Sequence, residues 1–166
     1  MKAIVYASNT GYTAQYAAML GEMTGLPVYT TDEACAAITA QDEVLYCSWL
    51  MAGTVHGYKK AAKTWNVKAV CAVGLCETGT RLEETRSAGK IPASVALFTV
   101  QGGYAPEKLH GIYKWMMKLV TRVLIKKIDD VDAPTDADRQ MRRVLTEGGS
   151  YVCEDNLAAV LAYLNE

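Results

Sequence analysis

Histidine occurs only twice in 166 residues, at His56 and His110, and none of the five cysteines belongs to a CxxC pair. Cys71 and Cys76 have no second ligand pair near them, so no zinc or other metal site is expected. Cys35, Cys47, Cys71, Cys76 and Cys153 are odd in number, and most sit in apolar runs. They read as reduced residues, most of them in the core. No charge excess stands out either, because the formal net charge is −1, which argues against nucleic acid as a partner. No apolar run approaches the roughly 18 residues of a membrane span, and no signal-peptide core follows Met1 and Lys2. The expected location is therefore cytoplasmic. Two phosphate motifs are missing as well: the Gly-Lys-Ser/Thr of nucleotide-hydrolysing loops and the GxGxxG of dinucleotide folds.

What is present is a balanced composition, 51% hydrophobic and 21% charged, with no compositional break, so residues 1–166 are expected to form one domain. Its pattern alternates apolar strands with helices. Lys2–Ala7 reads as a buried strand, Ser8–Thr13 as a polar loop and Ala14–Met23 as a helix. Leu26–Tyr29 is a second strand, followed by a helix through Cys35 and Ile38 that Thr31 or Asp32 would cap. Glu43–Ser48 is a third strand, running into an irregular, apolar Trp49–Gly57 stretch and a helix over Tyr58–Trp65. Lys68–Cys76 and Ser94–Val100 complete five strands, with a short helix over Leu82–Ala88 between them. Strands apolar on both faces and separated by helices imply a parallel sheet covered on both sides. A long helix over Pro106–Lys127, an acidic connection over Asp129–Asp138 and a last helix over Asp155–Leu164 finish the chain.

In such open sheets ligands bind beyond the carboxyl ends of the strands, which directs attention to the loops at Ser8, Ser48 and Gly74. Ser8, Asn9, Thr10, Gly11, Tyr12 and Thr13 bring hydroxyls, an amide and a permissive glycine to a helix N-terminus, where free N–H groups and the helix dipole favour an anion. No lysine or arginine occurs between Lys2 and Lys59. A phosphate here would be held by neutral donors.

The pattern Ser-x-Thr-Gly-x-Thr after a first strand, as it stands at Ser8–Thr13, resembles the phosphate loop of flavodoxins. The resemblance continues in the order of strands, in the Ser48–Gly57 loop, and in Gln101, Gly102 and Gly103 followed by a lysine-rich helix. Over nearly the whole chain the sequence looks like flavodoxin-domain proteins, near the protoporphyrinogen IX dehydrogenase branch. The resemblance implies a three-layer α/β sandwich on a five-stranded parallel sheet in the order 2-1-3-4-5, with FMN as cofactor. It also implies FMN contacts at Ser8–Thr13 for the phosphate, at Ser48, Trp49, Leu50, Met51, Ala52 and Gly53 for the isoalloxazine, and at Gly74, Leu75, Cys76 and Gly79 for the ring edge. Trp49 falls where related proteins often place a stacking aromatic. His56 lies in the same loop and is expected to be solvated.

Two departures matter. Carrier flavodoxins are strongly acidic and this chain is nearly neutral, and Cys76, Glu77, Thr78 and Gly79 lack the aromatic that many carriers place there. The partner is accordingly either a redox protein or a small reduced substrate or quinone, the latter as for an FMN-dependent dehydrogenase. A cofactor-free interaction or regulatory module on the same fold is the alternative. Along the long helix Lys114, Lys118, Arg122 and Lys126 recur every four residues, with Ile112, Met116, Leu119, Val123 and Leu124 on another face. The expectation is an apolar face on the core with lysines in water; a membrane surface against the basic face is the other reading.

Overall fold

A computed structural model describes the backbone of residues 1–166 and every side chain except those of Tyr113 and Ala137. The chain divides into two compact units, residues 1–102 with 152–166, and residues 103–151.

The first unit is built on a parallel sheet. Strands β1 (Ala3–Tyr6), β2 (Val28–Thr30), β3 (Glu43–Met51), β5 (Asn66–Gly74) and β6 (Ala96–Gln101) lie in the order β2-β1-β3-β5-β6. With the two-residue strand β4 (Thr54–Val55) set aside, this is the expected 2-1-3-4-5 order of a flavodoxin-like doubly wound sheet. β4 adds a sixth, antiparallel member, hydrogen-bonded to the end of β3. Side chains alternate between faces, as the strand period of two requires. Ile4, Leu45, Cys47, Ala69, Cys71 and Val73 pack with helices α1 (Tyr12–Thr24) and α7 (Ala158–Leu164). Val5, Val44, Tyr46, Val70 and Ala72 pack on the other face with α2 (Thr31–Ala37), α3 (Tyr58–Thr64) and α4 (Leu82–Gly89). The result is a three-layer sandwich. Because α1 lies on one face and α2 to α4 on the other, the winding reverses between β1 and β3.

Several elements differ from the sequence expectation. Trp49–Gly57 is ordered: β3 runs on to Met51 and folds back as β4, pairing Leu50 with Val55 and Met51 with Thr54. The two residues between, Ala52 and Gly53, both have positive φ, 49° and 78°, as tight hairpin turns of type I′ require. Alanine instead of asparagine at the first of these positions hides the usual signature. Helix α2 is capped by Thr30, not Thr31 or Asp32, in a capping box completed by Glu33.

The second unit pairs β7 (Gly103–Tyr104) with β8 (Gly149–Ser150) in antiparallel register, so the segment starts and ends side by side. Between them stand a 3₁₀ turn over Pro106–Lys108, helix α5 (Gly111–Asp129) and helix α6 (Asp136–Glu147). The expected single helix over Pro106–Lys127 is thus broken at Leu109 and His110. α6 begins in the last three residues of the expected acidic connection and runs on through residues 139–147, where no element was expected, and a second capping box between Thr135 and Asp138 starts it. Arg142 ties α6 to Asp129 at the end of α5, with Nε–Oδ1 at 2.6 Å.

Candidate functional site

The β1–α1 junction sets the first wall of the site. Gly11 caps α1 with φ 96° and has no side chain to close the helix end. This left-handed conformation turns the chain sharply into the helix at a position where a Cβ would be strained. The first-turn N–H groups of a helix have no partner within it. Here the Ser8 hydroxyl accepts from the Ala14 N–H at a long 3.4 Å. The helix end therefore presents backbone donors backed by the helix dipole.

A cleft of about 410 Å³ opens there, lined by Tyr6, Ala7, Ser8, Asn9, Gly11 and Ala14 together with Thr30, Thr31 and Trp49. It joins the carboxyl ends of β1, β2 and β3 at the point where the winding reverses, the usual ligand position in this kind of sheet. Its volume falls within the range of small-molecule sites. No charged side chain lines it.

Trp49 forms the far wall. One face of its indole is stacked on the His56 imidazole, with ring centroids 3.9 Å apart and planes 14° from parallel. The His56 N–H also donates to the Trp49 carbonyl at 3.0 Å. His56 is thus not a solvated loop residue, as its sequence position suggested, but the backing of Trp49. Its Nδ1 is buried without a hydrogen-bond partner, and burial lowers its pKa. The hairpin is tied down further by Tyr46, whose hydroxyl donates to the His56 carbonyl at 3.0 Å. Ser48 is fully buried, and its Oγ, close to the Tyr46 hydroxyl but out of hydrogen-bonding geometry, has no partner.

The loop after β5 belongs to a different neighbourhood. Gly79 donates to the Thr99 carbonyl and Gly102 to the Gly74 carbonyl, at 2.9 and 2.7 Å. The Thr78 hydroxyl donates to Asn156 Oδ1 at 2.6 Å and accepts from the Gln101 N–H at 3.0 Å. Asn156 Nδ2 in turn donates to the Tyr16 hydroxyl at 2.7 Å, and Tyr16 donates to the Gln101 carbonyl. Burial raises the pKa of that tyrosine, which is neutral at physiological pH. The network holds the Gly74–Gly79 segment against β6 and the 3₁₀ turn over Glu154–Leu157.

Of the residues expected to hold a phosphate, Ser8, Asn9 and Gly11 line the cleft, whereas Thr10, Tyr12 and Thr13 do not, and Thr13 is buried. Of the expected ring contacts, Trp49 lines it. Leu50 packs towards Gly74, where an added Cβ would come within 2.9 Å of Leu50 Cδ1. Met51 leads into the hairpin turn at Ala52 and Gly53. Gly74, Leu75, Cys76 and Gly79 lie outside the cleft lining. Tyr6, Ala7, Ala14, Thr30 and Thr31 were not anticipated. The Thr30-x-x-Glu33 capping box, at the end of the strand beside β1, is the signal that marks the last pair.

Cys47 and Cys71 sit opposite each other in the register of β3 and β5, fully buried. The neighbouring Cys71 thiol and burial together hold the Cys47 thiol well above its ordinary pKa, so it is an inert packing group rather than a nucleophile. Among the described residues no three His, Cys, Asp or Glu side chains gather as metal ligands would, and no helix is long and apolar enough to cross a membrane.

No protein-family model, curated protein or solved structure matches the chain.

Proposed function

We propose that the chain is an FMN-binding redox protein whose cleft at the ends of β1, β2 and β3 holds the cofactor. One observation carries this reading: the cleft sits where the winding reverses, with a helix N-terminus of neutral donors on one wall and a flat aromatic on the other. Phosphate would lie at Ser8, Asn9, Gly11 and the first turn of α1, held by backbone N–H groups and the helix dipole. An isoalloxazine would lie against the open face of Trp49, which His56 fixes from behind.

Bound FMN would supply the electron and hydride chemistry, and the protein would orient and insulate it. Ser8 and Asn9 orient the phosphate end. The Trp49–His56 stack keeps the indole from turning into the cleft, and the neutral imidazole adds no charge beside the ring. The lining offers the dianionic phosphate hydrogen bonds and a helix dipole but no full charge, so affinity should change less with salt than at a lysine-lined site. The partner is a redox protein or a small reduced substrate or quinone, and the setting is the cytoplasm, where free cysteines such as Cys47 and Cys71 stay reduced.

The test is titration of the purified chain with FMN and, separately, with riboflavin, read by flavin absorbance and fluorescence quenching. Saturation at one FMN per chain, with riboflavin distinctly weaker, supports the reading. Failure of the folded chain to bind FMN rejects it and leaves the fold as a cofactor-free interaction module.

A further inference from the structure

Helix α5 has two apolar faces. Met117, Leu124, Ile125 and Ile128 are half-buried. A second set, Ile112, Trp115, Leu119, Val120 and Val123, lies in solvent, with Ile112 75%, Trp115 66% and Val123 56% exposed. At about 100° per residue these five side chains cover roughly 140° of the helix circumference. They run about 17 Å along the axis at 1.5 Å per residue. The sequence expectation placed Ile112, Leu119 and Val123 against the core; they form the exposed stripe.

The charge beside this stripe is of one sign. No Asp or Glu occurs between Glu107 and Asp129; at about 100° per residue Lys126 and Lys127 fall within the arc of the stripe, just beyond Val123, and Arg122 lies beside its Trp115 edge, whereas Lys118 and Lys114 lie farther round the helix. Together these make a convex, straight surface with an aromatic and aliphatic ridge and flanking cations. We propose that α5 docks in plane on an anionic lipid surface, with Ile112, Trp115, Leu119 and Val123 entering the headgroup–acyl boundary and the cations meeting lipid phosphates. Helices that lie on membranes combine these features, and each basic residue near an anionic surface adds to the attraction. The inference is independent of the flavin reading.

The experiment mixes the full chain with vesicles of phosphatidylcholine alone or of phosphatidylcholine with phosphatidylglycerol, and sediments them. Cosedimentation with the anionic vesicles only, weakening as salt is added, is the expected result. Tryptophan emission should shift to the blue on binding, and Trp115→Phe should remove the shift while Trp49 and Trp65 remain. Leu119→Gln with Val123→Gln should abolish binding; both side chains are exposed, and an unchanged melting curve verifies the fold. Arg122→Glu with Lys127→Glu should lower partition by about fivefold per cation or more. The proposal is overturned by no cosedimentation with anionic vesicles or by equal partition onto neutral ones. A lipid-free dimer that already shields Trp115, or binding only to an acidic protein, overturns it equally.

Discussion

At the scale of single residues, two positions at the hairpin and one in the phosphate wall carry distinct expectations. Gly57 has φ 73°, and a Cβ there would lie 2.5 Å from the Tyr46 hydroxyl, the group that holds the His56 carbonyl. Gly57→Ala combines left-handed strain with a displaced buried hydroxyl, and should cost about 2 to 4 kcal/mol in urea unfolding. His56 gives a pH signature. Its pKa is lowered from the ordinary 6.5 by burial, so as pH falls below that value the unfolded chain takes up a proton before the folded chain does. Its contribution to stability is full above the unfolded pKa and is lost as pH falls towards the folded one. Between pH values of roughly 7.5 and 5.5 the wild type should lose stability that His56→Phe, which keeps a ring behind Trp49, does not lose. Parallel curves for the two proteins would reject the buried, neutral imidazole. In the phosphate wall, Asn9→Asp adds a negative charge to an exposed loop beside a helix N-terminus. FMN affinity should drop by about 1 to 3 kcal/mol while riboflavin affinity barely changes; equal effects on both flavins would place the phosphate elsewhere.

At the scale of elements, the β3–β4 hairpin is the clearest local departure from optimal chemistry. Ala52 is held at φ 49° in a two-residue turn where asparagine or glycine is the natural occupant. Ala52→Asn should raise stability by about 0.5 to 1 kcal/mol, measured as a higher urea midpoint at constant slope. The same alanine explains what the sequence concealed. Strands β1, β3, β5 and β6 were legible because Ile4, Val44, Leu45, Val70 and Val100 belong to continuous apolar runs, and the alternation with helices dictated a parallel sheet. The hairpin was not legible, because Ala52-Gly53 lacks the turn signature and β4 is only two residues long. Helix α6 was hidden for another reason: Asp136, Asp138, Arg139, Arg142 and Arg143 dominate it, and among its described side chains only Val144 and Leu145 are buried. In the candidate site, Ser8, Asn9 and Gly11 could be read from the chain because loop composition and strand order converge on them, and Trp49 followed from the resemblance to flavodoxins. Thr30 and Thr31 come from the junction of β2 and α2, and the Trp49–His56 stack depends on a hairpin with no sequence marker.

At the scale of the whole molecule, the chain separates the candidate flavin cleft from the candidate lipid surface. Every residue lining the cleft, and both buried clusters that flank the parallel sheet, belong to residues 1–102 and 152–166. Every residue of the exposed apolar stripe on α5 belongs to residues 103–151. The second segment also leaves and returns at one place, because Gly103 is paired directly with Ser150, an arrangement in which the two Cα atoms lie about 5 Å apart. A short link can span such a gap, and closing a shorter loop costs less entropy than closing a longer one. Replacing Gly103–Tyr151 by a link of about four glycine and asparagine residues should therefore leave a cooperatively folding sheet domain. The shortened chain should lose helical signal in far-UV circular dichroism, retain the FMN affinity of the full chain within about threefold, and no longer sediment with anionic vesicles. Retained folding with lost FMN affinity would mean that residues 103–151 complete the cofactor site, whereas retained vesicle binding would move the lipid surface onto the sheet domain.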